Sequence, residues 1–163
     1  MTELSRIIKR AFRTTEYPGD SNLRNSSEGV EPFLLEDEFN GKDDWHALHS
    51  NFLDQAPDGY ASALSFFTPE AFRFYLPAYL LADLSNELQM TEPVFYLTHG
   101  LTDDSKNVKV NPARFGGLTW FEYATDRFSV FTHQEAAAIL QYLSFKKEEA
   151  DTEYSRNLIE QAV

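Results

Sequence analysis

The chain has 163 residues, no cysteine and a net charge of −12 at pH 7. This length corresponds to one domain, and the missing cysteine excludes a disulfide-stabilised scaffold. The net negative charge disfavours nucleic-acid binding. The sequence contains no run of about 18 apolar residues, the length needed to span a membrane. Charged residues near the N-terminus argue against a signal peptide. We expect a single cytoplasmic domain, 1–163, with neither a nucleic acid nor a membrane as partner.

The N-terminal segment has the clearest helical periodicity. Apolar residues recur at intervals of three and four, which predicts an amphipathic helix over 3–15 with a basic outer face. Residues 16–31 are rich in Gly, Pro, Asn and Ser and predict a loop. Pro32 then opens a short helix over 33–39, which Asn40 and Gly41 end.

Residues 28–58 hold nine acidic side chains and one basic side chain, Lys42. A second helix is predicted over 44–55. Its two histidines, His46 and His49, are three residues apart, a spacing that can hold a metal ion on one helix face. No cysteine and no H-x-x-x-H pair accompanies them, and a metal site would need a third ligand from elsewhere, such as His99, His133 or a carboxylate. We therefore interpret them as structural histidines, with His49 inside the apolar stripe and His46 at its edge, and predict no metal.

The segment 65–84 predicts the central helix of the fold. Thr68 is a suitable N-cap, Pro69 suits the first helical position, and apolar residues lie on nearly every face. The helix should run to about residue 88. Pro77 removes one amide donor from its interior, and we expect a kink there.

Residues 90–131 are the hardest part to interpret. We expect loops over 100–117, short extended pieces at 94–97 and 108–110, and a short helix over 118–124. Thr132 and Glu135 form the pattern of a capping box, which predicts a helix from 133 to about 150, followed by a helix over 154–162. The predicted fold is mainly α: a compact bundle of five or six helices around the kinked helix, with few or no short strands and with the 133–149 helix packed on it.

Two function classes remain open. No nucleotide-binding or hydrolase motif is present, so no cofactor and no catalytic residue is predicted. The first hypothesis is a non-catalytic interaction module, immunity- or inhibitor-like, that binds a basic protein. Its candidate binding residues are Glu36, Asp37, Glu38, Asp43 and Asp44. The alternative is a small-molecule binder or enzyme with a pocket beside the kinked helix, with candidates Arg73, Tyr75, Asp83 and His49.

Two segments together resemble a known family. They are LSFFTPEAFRFYLPAYL at 64–80 and FTHQEAAAILQYL at 131–143. The pair resembles small bacterial domains of unknown function, whose members carry a similar LTPEAFRYYLPA helix and a later Q-x-x-A-I-x-x-F/Y-L helix. The resemblance implies a bacterial cytoplasmic protein with a mostly helical core, and it brings no catalytic residues.

Overall fold

The structure, a computed structural model, describes residues 1–163 and contains helices but no β-strand. The mainly α prediction is therefore confirmed. There are ten α-helices rather than five or six. Six of them are longer than one or two turns, and the other four have only four to six residues. In chain order they are α1 (Glu3–Ala11), α2 (Glu31–Phe39), α3 (Ser50–Gln55), α4 (Ala63–Phe66), α5 (Pro69–Leu84), α6 (Pro93–Thr98), α7 (Pro112–Phe115), α8 (Trp120–Phe128), α9 (His133–Glu149) and α10 (Glu153–Ala162). None combines the length and the hydropathy that a membrane span requires.

The polypeptide forms two compact units, Met1–Pro93 and Val94–Val163. The single domain, the kink at Pro77 and the arrangement of helices as one bundle stay predictions.

Helix α5 supplies more of the core of the first unit than any other helix. Its start is as predicted, because the hydroxyl oxygen of Thr68 accepts the N–H of Ala71 at 3.1 Å and Pro69 occupies the first turn. Ten of its 16 residues are buried. The ring of Tyr75 lies 4.8 Å from the ring of Phe39, which joins α5 to α2. The helix ends at Leu84, four residues before the predicted end.

The predicted helix over 44–55 is wrong. Residues Trp45–Ala47 form a 3₁₀-helix, and α3 begins only at Ser50. Leu48 and His49 between them are extended, with ψ angles of 127° and 145°. Trp45 before the break and the α3 residue Leu53 after it are both buried in the core, where they are 3% and 1% exposed.

The second unit is built on α9, whose capping box is as predicted. The N–H of Thr132 donates to Glu135 at 2.8 Å, and the N–H of Glu135 donates to the Thr132 hydroxyl oxygen at 3.2 Å. The predicted helix at the C-terminus is also confirmed, as α10. The extended piece predicted at 94–97 is wrong, because those residues belong to α6, which Pro93 opens.

Residues 108–110 form no strand. Lys109 makes an isolated antiparallel bridge with Thr119. The flanking N–H of Val110 donates to the carbonyl of Leu118 at 2.9 Å. The helix expected over 118–124 is α8, which starts at Trp120.

Candidate functional site

The acidic segment contributes several of its carboxylates to the fold. Glu36 accepts a hydrogen bond from Nε of Arg24 at 2.9 Å, and both side chains are half-buried. The Arg24 guanidinium also lies 4.4 Å from the ring centre of Phe33. Glu36 therefore fixes the loop before α2 onto that helix and is a poor candidate for binding a partner.

Two other predicted binding residues remain at the surface. Asp37 and Asp43 are exposed. Asp44 is exposed too, but it caps the 3₁₀-helix by accepting the N–H of His46 at 3.0 Å, and it contacts Nδ1 of the same imidazole at 3.1 Å. The structure thus separates two solvent-facing carboxylates from two that hold the fold, Glu36 and Asp44.

Glu38, the fifth predicted residue, lies in a polar groove of about 390 Å³. Its carboxylate accepts the backbone N–H of Asp58 at 2.8 Å, which brings the acidic side chains of α2 and of the turn after α3 to one place. Asn51, Phe52 and Gln55 of α3 line the same groove. Two carboxylates and two amides are suited to holding a lysine or arginine side chain. The Phe52 ring already lies 5.0 Å from the ammonium of the protein's own Lys42.

Three of the four pocket candidates, Arg73, Tyr75 and Asp83, lie on α5, and the fourth, His49, precedes α3. Tyr75 is buried and its hydroxyl donates to the carbonyl of Lys42 at 2.8 Å, an interaction within the fold. Arg73 and Asp83 are half-buried on α5. His49 is exposed and lies at the N-cap of α3, so its predicted place beside a buried stripe is wrong.

A hollow of about 190 Å³ does lie beside α5, next to Ala78, but none of those four residues lines it. It is formed by α1, the 3₁₀-helix, Leu48, α5 and the residues that follow α5. Its lining residues are Lys9, Trp45, His46, Leu48, Ala78, Leu81, Ala82, Ser85 and Glu87.

The two histidines of the acidic segment do not form a metal-binding pair on one helix, because the break at Leu48 separates them. The imidazole of His46 is instead stacked on Trp45, with ring centres 3.6 Å apart. The structure has no group of three or more His, Asp or Glu side chains placed to hold one metal ion.

The most highly connected carboxylate was not among the predicted residues. Asp54 is 8% exposed, and its Oδ1 accepts the backbone N–H groups of Gln89, Met90 and Thr91 at 2.9–3.0 Å. Burial raises the pKa of this carboxyl, but the three N–H groups outweigh burial and hold the pKa below its ordinary value. The only sequence signal is an aspartate directly after the apolar pair Phe52 and Leu53.

A family model matches the whole chain, residues 1–163. The chain belongs to DUF6714, a family of unknown function. No curated protein and no solved structure matches this DUF6714 chain significantly. Membership confirms the expectation of a family without an assigned activity, so the function of this DUF6714 protein has to be argued from its own side chains.

Proposed function

We propose that this DUF6714 protein is a non-catalytic interaction module that binds a basic protein through the groove at Glu38 and Asp58. The observation that supports the proposal is the hydrogen bond from the Asp58 N–H to the Glu38 carboxylate. It joins the backbone of one acidic residue to the carboxylate of another, 20 residues apart in the chain. Asn51 and Gln55 add neutral acceptors beside them, as recognition of an ammonium or guanidinium group requires.

The surrounding charge favours the same class of partner. Asp37, Asp43 and Asp58 are exposed in a segment whose only basic side chain is Lys42. The Lys42 ammonium lies 5.0 Å from the ring centre of Phe52, a residue that lines the groove. Exposed carboxylates of this kind steer the approach of a positively charged surface and raise its association rate.

The specific form of the proposal is an immunity- or inhibitor-like protein of the bacterial cytoplasm. The support is the resemblance of the helices at 64–80 and 131–143 to small bacterial domains, together with the acidic groove, which suits occlusion of a basic partner. A toxin gene adjacent to the gene for this protein is the expected genomic context.

The experiment is capture of the partner from the source cells by cross-linking, followed by purification of both proteins and measurement of their affinity. Binding should weaken strongly between about 50 and 500 mM salt, because the Debye length falls well below 10 Å. The double variant Asp37→Lys/Asp43→Lys should weaken binding further. Asp58→Asn should do the same while tolerating the positive φ of 45° at that position.

The matched control is Glu148→Lys/Asp151→Lys, which makes the same change in net charge at exposed positions outside the acidic segment. This control should leave most of the affinity intact. Equal loss in both double variants would mean that the partner responds only to net charge. Binding that ignores salt, Asp37→Lys/Asp43→Lys and Asp58→Asn would overturn the proposal.

A further inference from the structure

The hollow beside α5 has an apolar floor that two alanines create. Ala78 and Ala82 lie one helical turn apart on α5, and both face the hollow. Because neither side chain extends beyond Cβ, the surface of the helix is recessed there. Leu48 and Leu81, which are half-buried, provide further apolar surface around the recess, whereas Trp45 is only 3% exposed and adds little. Such a floor favours an apolar group of a ligand.

The rim of the hollow carries one ammonium group and one carboxylate, besides the imidazole of His46, which contacts Asp44 at 3.1 Å. Lys9 reaches it from α1, and Glu87 reaches it from the segment after α5. Neither side chain forms an ion pair within the protein. The hydroxyl of Ser85 lies on the same rim. An ammonium and a carboxylate are therefore both available to a single ligand.

The size of the hollow limits that ligand to a small molecule. Its volume of about 190 Å³ is below the range of roughly 300–1,000 Å³ that drug-sized ligands occupy. It exceeds the cavity of about 150 Å³ that is known to hold benzene. The hollow has room for a branched aliphatic side chain, with a charged head group at the rim.

We infer that the hollow binds a free aliphatic α-amino acid. The carboxylate of the ligand pairs with Lys9, its ammonium pairs with Glu87, and its side chain covers Ala78 and Ala82. A simple carboxylic acid would leave Glu87 unpaired beside a second negative charge, and a simple amine would leave Lys9 unpaired. The zwitterion satisfies both groups. This site shares no lining residue with the groove at Glu38, so a failed test of amino-acid binding would leave the proposed function unaffected, and the reverse also holds.

The test uses the fluorescence of Trp45 in the full chain carrying Trp120→Phe, since these are the only two tryptophans. The probes are L-leucine, 4-methylpentanoate, which lacks the ammonium, and 3-methylbutylamine, which lacks the carboxylate. L-leucine should give a saturable change, and each analogue should bind about two- to fivefold more weakly, since each loses one ion pair at a solvent-exposed rim.

Two substitutions separate the roles of the rim charges. Lys9→Gln should weaken the binding of both L-leucine and 4-methylpentanoate about two- to fivefold, whereas Glu87→Gln should weaken the binding of L-leucine and leave that of 4-methylpentanoate unchanged or tighter. Arg10→Gln and Glu92→Gln are the matched controls, because both positions are exposed and outside the hollow. They should bind as the parent does.

Three results would overturn the inference. The first is no saturable response to L-leucine at about 10 mM, which corresponds to negligible affinity. The second is equal affinity for L-leucine and 4-methylpentanoate. The third is binding that neither Lys9→Gln nor Glu87→Gln alters. Circular dichroism of each variant verifies that the helices are intact when these measurements are made.

Discussion

Asp54 and Thr91 are joined by two hydrogen bonds across 37 residues of sequence. The carboxylate of Asp54 accepts the Thr91 N–H at 2.9 Å, and the Thr91 hydroxyl donates to the Asp54 carbonyl at 3.2 Å. The same carboxylate oxygen also binds the two preceding N–H groups. This contact attaches the end of the first unit to α3.

The first prediction concerns removal of that carboxylate. Asp54→Ala should lower the free energy of unfolding by about 3 kcal/mol, because the N–H of Thr91 is left buried without an acceptor. Urea denaturation followed by circular dichroism measures the change. Asp37→Ala is the control, since Asp37 is exposed and its loss should cost less than about 0.5 kcal/mol. Equal stability of the two variants would contradict a structural role for Asp54.

The second prediction concerns acid. The pKa of Asp54 lies below its ordinary value of 3.8 in the folded protein, so the unfolded chain binds the proton more readily. The stabilisation by this carboxylate is therefore complete above about pH 4 and is lost as the pH falls through the folded pKa. The stability difference between the wild type and Asp54→Asn should shrink between about pH 6 and pH 2.5. A difference that stays constant over this range would show that the charge is not involved.

The third prediction concerns the contact between Gly100 and α8. A Cβ atom at Gly100 would lie 2.4 Å from the carbonyl oxygen of Trp120, and the φ of Gly100 is +92°. Gly100→Ala should therefore destabilise the protein by about 3 kcal/mol, through the clash and the strained φ together.

Gly41→Ala isolates the second of these two effects. Gly41 has a φ of +72° but open space around the added Cβ. Gly41→Ala should therefore lower the free energy of unfolding, measured by thermal or urea denaturation, by only about 1 kcal/mol. Equal costs at the two positions would show that backbone conformation alone, and not the approach to Trp120, determines the loss.

The fourth prediction decides between packing and function for Tyr75. Tyr75→Phe keeps the ring against Phe39 but removes the hydroxyl that donates to the carbonyl of Lys42. The free energy of unfolding should fall by about 1 kcal/mol, the usual net value of one hydrogen bond. Tyr60→Phe is the control, because Tyr60 is 53% exposed. Unchanged stability in Tyr75→Phe would reopen the interpretation of this hydroxyl as a ligand-binding group.

Local sequence was sufficient for the elements whose interactions span four residues or fewer. Thr68 begins α5 by accepting the N–H of Ala71, and Thr132 begins α9 through its capping box with Glu135. The stripe that ends at Phe12 likewise predicts α1, with Ile8 and Phe12 fully buried. Each of these features depends only on residues close in sequence, so it can be predicted without knowing the tertiary structure.

Only the tertiary structure decided how the acidic segment divides. The sequence showed nine carboxylates as one charged stretch, but it could not show that Glu36 is bound to Arg24 or that Asp54 anchors a segment 35–37 residues away. It also could not bring Glu38 to Asp58, or Lys9 and Glu87 to one hollow. The composition therefore determined that the chain is acidic, and the local sequence patterns determined that it is helical. Which charges hold the fold and which face a ligand depends on distant segments, because long-range packing selects each partner.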